Sequence, residues 1–332
     1  MHVMIIGAVG MLGKKLASVI AKTRQCNGQS VTRLTLVDIA VAETPENPAF
    51  PIESLAFDLS HTDTAPLLTK RRPDIIFHLA AIVSGEAEND FEKGYAINLD
   101  GTRHLFEAIR RERDRNGNAA DYRPRVVFTS SIAVFGGPYP DTISDTFFRT
   151  PQTSYGTQKA IGELLLEDYT RRGFMDGVGL RLPTICIRPG LPNKAASGFF
   201  SSILREPLVG QPATLPVEDT VRHWHASPRA AVRFLLHAGT MDSSRLGHRR
   251  TLNMPGLSAT VAEQVEALRT VAGNDAIALI RREPNPDIAA IIAAWPQDFT
   301  ADRATDLGFR AERSFEDIIA VHIEDELGAT SA

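Results

Sequence analysis

Cysteine is scarce in this chain, with 2 among 332 residues, Cys26 and Cys186. Two cysteines so far apart make neither a disulfide framework nor a paired-cysteine metal motif. Cys186 sits in an apolar run and reads as a small buried hydrophobe. Long apolar runs are also missing, so the sequence offers no membrane span. Excess charge of one sign is missing too: the net charge is −4 at pH 7. Nothing in that balance suggests a general affinity for nucleic acid or for an anionic membrane. The Arg-rich stretch at Arg110, Arg111 and Arg113 is broken by Glu112 and reads as a solvated helix face. No basic segment leads into an apolar signal core at the N-terminus, so a reducing cytoplasm is the expected setting. His2, His78, Arg222, His223 and His225 show no metal-ligand spacing, and no metal is expected.

What is present is alternation. His2 to Ile6, Leu34 to Val37, Asp74 to Leu79 and Val126 to Thr129 read as buried strands. Helical patterns separate them, with Leu12, Leu16, Val19 and Ile20 on one face, then about Leu99 to Arg113, then Tyr155 to Arg171. Such alternation predicts a parallel sheet with helices on both faces. Val41 to Pro51 reads as a loop. Leu191 to Pro228 holds many Pro, Gly and Ser and shows little periodicity. A strand at Thr251 to Met254 follows. Capping-box starts at Thr260 to Glu263 and at Ser314 to Asp317 each open a helix. The expected division is a nucleotide-binding domain over 1–187 and a substrate-binding region over 188–332, interleaved with the sheet through the strand near 251–254.

The first turn carries three glycines in "GAVGMLG": Gly7, Gly10 and Gly13. Gly7 permits the turn, Gly10 lets backbone approach a pyrophosphate, and Gly13 lets the helix pack close to the strand. Met11 and Leu12 open that helix, whose free N–H groups and dipole favour phosphate. An acid after the second strand is the discriminating feature, and Asp38 stands there. Its carboxylate suits the ribose hydroxyls of an adenosine, and no Arg follows it to receive a 2′-phosphate. The cofactor expected is NAD rather than NADP.

"SYGTQKA" holds Tyr155 and Lys159, four residues apart and on one helix face. A free phenol ionises near ~10 and is a poor base at neutral pH. A nearby ammonium stabilises the phenolate. Tyr155 can then take the proton from a substrate hydroxyl while hydride leaves its carbon. Ser131, just after the strand ending at Thr129, is placed to hold the substrate oxygen. A turn serine and a surface Tyr–Lys pair are the bland alternatives.

In this order, "GAVGMLG", "HLAAIVSG", "NLDGT", "FTSSIAVFG" and "SYGTQKA" resemble the extended short-chain dehydrogenase/reductase family, in its nucleotide-sugar epimerase/dehydratase group. The resemblance covers essentially the whole chain. It implies a Rossmann-type doubly wound α/β fold with a smaller C-terminal α/β layer that binds substrate. It implies Tyr155 as base, Lys159 as the group that lowers its pKa and holds the nicotinamide ribose, and Ser131 as the orienting hydroxyl. It further implies that Asp58 and Leu59 flank the adenine, that Leu79, Ala80, Ala81 and Pro183 line the cofactor, and that Asn98 lies near the nicotinamide. Homodimers are frequent in the family. The chain departs from it at Phe135, where Tyr is common.

"RLPTICIRPG", "NKAASGFFSSILREPLVGQ" and "RHWHASPR" narrow the resemblance to members that oxidise a four-carbon sugar acid at C2 with NAD. A small hydroxy acid needs a cation for its carboxylate, and Arg222 or Arg188 can supply a bidentate partner. Arg222 is the first expectation. Ser84 and Glu86 are candidates for the polyol hydroxyls, and Asn193, Ser197, His223 and His225 are further candidates. Two other functions compete: a nucleotide-sugar epimerase or dehydratase with retained NAD, and a non-catalytic NAD sensor.

Overall fold

The computed structural model describes residues 1–44, 48–115, 122–190 and 196–328. Asn193 lies outside them. The chain divides into two compact units whose boundary is crossed several times. The first unit comprises 1–134, 153–181 and 232–252; the second comprises 135–152, 182–231 and 253–332. The expected division at 187/188, interleaved through the strand near 251–254, compares with a crossing here at 181/182. Two further exchanges occur, because residues 135–152 join the second unit and 232–252 return to the first.

The first unit is built on strands β1 (His2–Ile6), β2 (Arg33–Asp38), β3 (Ile52–Ala56), β4 (Ile75–His78), β5 (Arg125–Ser131) and β6 (Asp176–Leu182). Their order across the sheet is β3-β2-β1-β4-β5-β6, and Thr251–Asn253 extends the edge beyond β6 to make seven strands. β1 pairs in parallel with β2 and β4, β2 with β3, and β4 with β5. This is the doubly wound order, in which the chain reverses direction between β1 and β4 and leaves a crevice at their carboxyl ends. The strands read as continuous apolar runs because both faces are covered. Met4, Ile6, Ile76, Val126 and Phe128 pack with Leu105, Phe106 and Ile109 of helix α2 (Gly101–Asp114). Helix α1 (Met11–Thr23) buries Gly13, Leu16 and Ile20, while Leu12 and Val19 of the expected stripe are only part-buried. Helix α3 (Ser154–Arg171) starts under a cap in which Thr153 Oγ1 accepts from Gly156 N at 3.0 Å.

The second unit has its own core, with Phe199, Phe200, Ile203, Leu204, Leu268, Phe315 and Ile318 among its members. A three-stranded sheet runs Leu257–Thr260, Arg222–Ala226, Thr184–Ile185. Helix Gly198–Leu208 lies in a stretch whose composition suggested no regular structure. Both expected capping boxes form, at Thr260 with Glu263 and at Ser314 with Asp317. Among the described residues, no helix is long and apolar enough to cross a membrane, and no cluster of three metal-ligand side chains occurs.

Candidate active site

The glycine turn is shaped by contacts that leave no room for side chains. Gly7 has φ +95°, and a Cβ there would lie 2.6 Å from Ala80 N, on the segment that follows β4. Glycine alone suits both demands. A Cβ on Gly13 would overlap the Gly7 carbonyl and lie 2.8 Å from Ala8 Cα. α1 therefore starts tight against the turn. Its N-cap is Gly10, with no side-chain cap and no acid in the first turn, so the N–H groups around Met11 and Leu12 retain their positive end for an anion. Asp38, at the end of β2, accepts from Val9 N at 2.8 Å through one oxygen and from Ile39 N at 2.7 Å through the other. The acid and the glycine turn are thereby one assembly, and the cradle fits a dinucleotide.

The rim continues along the carboxyl ends of the strands. Leu79, Ala80 and Ala81 follow β4 and are part-buried. Leu79 N and Ala80 N both donate to the Ile6 carbonyl, at 2.8 and 3.0 Å. Asp58 accepts from the backbone and hydroxyl of Ser60 at 2.8 and 2.7 Å. Burial pushes its carboxyl up, the two Ser60 bonds pull it down, and the net shift is downward. Leu59 is buried in the core of this unit, and Pro183, the second residue after Arg181, is buried as well. Asn98 is buried and fully engaged: its oxygen accepts from Ile82 N at 2.9 Å, and its nitrogen donates to Ile82 O and Gln158 Oε1. It clamps the loop after β4 to α3.

Tyr155 and Lys159 lie one turn apart on α3, with the ammonium 5.7 Å from the phenol ring centre. Burial pushes the Tyr155 hydroxyl up to about 12, and the neighbouring Ser131 hydroxyl pulls the other way. Ser131 Oγ also accepts from Ala133 N at 3.1 Å. Lys159 is 2% exposed and donates from Nζ to the Thr129 carbonyl at 2.9 Å. Burial lowers its pKa to about 8, opposed by the charge of Glu163. The arrangement places a phenol, a hydroxyl and an ammonium at the end of β5, which is the chemistry of proton abstraction from an alcohol.

Residues that sequence reasoning passed over support this trio. Glu163, one turn beyond Lys159, is fully buried and holds Arg181 through paired contacts of 2.9 and 2.8 Å, and Ser130 Oγ donates to it at 2.5 Å. Its place four residues after Lys159 was the available signal. His78 is fully enclosed and lowered to about 3 by burial and by the Lys159 charge. Thr102 Oγ1 donates to Asn98 O, so His78 Nε2 must donate to Thr102 Oγ1 at 2.9 Å, leaving the Nδ1 lone pair without a partner among the described residues.

These features together, a glycine turn with its acid and a Tyr–Lys helix in one doubly wound unit, agree with the match of residues 3–238 to the NAD dependent epimerase/dehydratase family. The chain belongs to that family. This epimerase/dehydratase-family chain is an NAD-dependent oxidoreductase. It is 44% identical over 329 residues to D-erythronate dehydrogenase of Cupriavidus necator, covering 98% of each chain. It is 40% identical over 327 residues to D-erythronate dehydrogenase of Haemophilus influenzae, covering 98% of this chain and 100% of that one. The crystal structure of the nucleoside-diphosphate-sugar epimerase from Agrobacterium tumefaciens is 62% identical, with a TM-score of 0.95 over 99% of this chain and 95% of that chain.

The remaining candidates divide by what already holds them. In the first unit, Ser84 opens the short helix Ser84–Asn89 and is part-buried, while Glu86 is ion-paired with Lys93 at 2.6 Å. In the second unit, Arg222 donates to Ser258 O at 3.0 Å and pairs with Glu263 at 3.3 Å. His223 is buried and lowered to about 4 by desolvation. Its Nδ1 donates to Pro296 O at 3.1 Å, so its Nε2 accepts from Thr184 Oγ1 at 2.7 Å. His225 is buried against Phe200 and Phe315, and burial holds its pKa well below the usual value. Both histidines are core residues. Phe135 packs between Phe147 and Phe299, where a hydroxyl would have to find a partner.

Proposed function

We propose that this chain oxidises a four-carbon sugar acid of the D-erythronate type at C2, giving the 2-oxo acid and NADH. Two relatives named D-erythronate dehydrogenase, similar over nearly their whole length, support the substrate class. The observation that carries the chemistry is the buried Lys159 ammonium, 5.7 Å from the Tyr155 ring centre and held by the Thr129 carbonyl at 2.9 Å, with Ser131 at the end of the same strand.

The cofactor, when bound, supplies the hydride acceptor and a positive ring. The N–H groups at Gly7, Gly10, Met11, Leu12 and Gly13 would hold its pyrophosphate. Asp38 would accept from the adenosine ribose hydroxyls, and Asp58 and Leu59 would flank the adenine. Leu79, Ala80 and Ala81 would line the cofactor, as would Pro183, and Asn98, which holds Ile82 and Gln158, would lie near the nicotinamide. Tyr155 takes the proton of the C2 hydroxyl as the C2–H electron pair leaves. Ser131 donates to the same oxygen and fixes its position. Lys159 keeps a cation behind the phenolate, which counters the burial that otherwise keeps Tyr155 protonated. Ser84 and Glu86 remain assigned to the other hydroxyls. The proposal extends to a homodimer in a cytoplasmic setting, which two buried free cysteines suit.

The Agrobacterium relative favours a second reading, epimerisation of a nucleotide sugar with NAD retained. Incubation with D-erythronate and NAD separates the two. Oxidation accumulates NADH in proportion to acid consumed; epimerisation returns the hydride and accumulates none.

A further inference from the structure

Tyr155, Lys159 and Glu163 stand four residues apart on α3, so their side chains form one row along the helix. The row runs beside the end of β5. Lys159 donates from Nζ to the Thr129 carbonyl at 2.9 Å. The next residue, Ser130, donates from Oγ to Glu163 Oε1 at 2.5 Å. Arg181 of β6 holds the same carboxylate, from Nε to Oε1 at 2.9 Å and from Nη2 to Oε2 at 2.8 Å. Ser130, Lys159 and Glu163 are all buried. Every residue of this assembly belongs to the first unit.

An ammonium and a carboxylate one helix turn apart are placed to pair, and away from water their attraction is strong. Here the Lys159 hydrogen bond goes to a backbone carbonyl instead. Occupancy of Glu163 explains this. Its carboxylate already accepts two bonds from Arg181 and one from Ser130. The acceptor of Lys159 and the donor to Glu163 sit on consecutive residues, Thr129 and Ser130. The serine hydroxyl therefore fills the lone pair that the ammonium would otherwise take. The ammonium keeps its place 5.7 Å from the Tyr155 ring centre. The groups that face it are Tyr155 and Glu163 from α3, the Phe128 ring of β5 at 5.0 Å, and His78 from β4, which burial and the lysine charge keep neutral. Arg181 of β6 reaches Glu163.

We propose that Ser130 is a positioning residue of the oxidation site: its hydroxyl occupies Glu163 and so keeps the Lys159 ammonium beside Tyr155 rather than in an ion pair. The inference rests on the sugar-acid reading above and deepens it. Glu163 lends negative charge that favours the protonated lysine without capturing the ammonium. Removing that charge and removing the serine then have opposite consequences. Without the charge, the lysine gives up its proton more readily. Without the serine, the ion pair closes and holds the proton more tightly, and the cation is drawn away from the phenol.

The test uses the full chain in two assays. The pH profile of kcat is read by NADH absorbance with NAD and D-erythronate, and urea midpoints are read across the alkaline range without substrate. Ser130→Ala is expected to lower kcat at neutral pH by about tenfold, because each unit added to the phenol's pKa leaves tenfold less phenolate. KM for the acid is expected to move less than about threefold. The limb lost as Lys159 deprotonates is expected to move up by about one pH unit or more, the effect of an opposite charge brought close. The pH-dependent gain in stability, which starts near pH 8 in wild type, is expected to start correspondingly higher, since a lysine held protonated matches the unfolded chain to a higher pH. Ser130→Thr keeps the hydroxyl and is expected to restore both readings. Loosened packing alone would lower every midpoint without moving the pH at which the rise begins. A limb and an onset that stay or move down in Ser130→Ala overturn the inference. An upward move that persists in the Ser130→Ala, Glu163→Gln double variant also overturns it. Ser130→Cys, a weaker donor, serves should Ser130→Ala fail to fold. Wild type that makes no NADH from the acid overturns the sugar-acid reading, and the urea onset then decides the placement of Lys159 alone.

Discussion

Asp38 Oδ2 accepts a hydrogen bond from the backbone N–H of Val9 at 2.8 Å, tying the acid after β2 to the glycine turn after β1. A 2′-phosphate brought to this carboxylate meets like charge, and no arginine follows to offset it. NAD is expected to exceed NADP in kcat/KM, and Asp38→Ala is expected to narrow that ratio. Comparing the two cofactors on both proteins checks this. Equal efficiency of the two cofactors in wild type would remove Asp38 from cofactor choice.

Tyr155→Phe keeps the ring and its packing but removes the proton acceptor. Turnover is expected to fall by about a hundredfold or more, the usual worth of general base catalysis. NAD affinity is expected to hold. Because burial places the phenol at about 12 without the cofactor, kcat for oxidation should climb with pH wherever proton removal limits the rate. A flat profile, with near-normal turnover in the variant, would exclude the residue.

Lys159 has a stability signature distinct from its catalytic one. Its folded pKa is about 8 against 10.5 for the free group. Below pH 8 both folded and unfolded forms carry the charge, and the folded form bears the burial cost. Between 8 and 10.5 the unfolded chain binds more protons, so stability rises with pH across that window. Lys159→Met is expected to abolish this rise while strongly lowering turnover. Urea midpoints at several pH values, for both proteins, read the difference; parallel slopes would contradict it.

Glu163→Gln leaves Arg181 buried without its counter-charge. A cost of about 3–5 kcal/mol is expected in urea unfolding, as for other broken buried pairs. The loss of negative charge beside Lys159 should also lower the lysine pKa further, because Glu163 now raises it. The pH–rate profile should then lose its protonated-lysine limb at a lower pH than in wild type. A variant as stable as wild type would show that the pair is dispensable.

The first unit was legible because each strand ends in a turn residue with a mechanical reason to be there. Gly7 faces Ala80, and Asp38 closes back on Val9. The helix at Gly198–Leu208 was missed because Gly198, two serines and Pro207 hide it, although Phe199, Phe200, Ile203 and Leu204 all face the core. Arg222–Ala226 reads poorly as a strand because its buried side chains include two histidines, whose partners Thr184, Pro296 and Gln264 lie far away in the chain. The pairing of Arg222 was closed to the sequence for a similar reason: its partner, Glu263, lies 41 residues further on.

The central claim is a net oxidation, so its most direct measurement is stoichiometry. The purified chain is incubated with NAD and D-erythronate, and separately with NAD and a nucleotide sugar, while NADH and both sugars are quantified. The expected result is one NADH per acid consumed and no conversion of the nucleotide sugar. Interconversion of the nucleotide sugar without NADH, together with an inert sugar acid, would contradict the account.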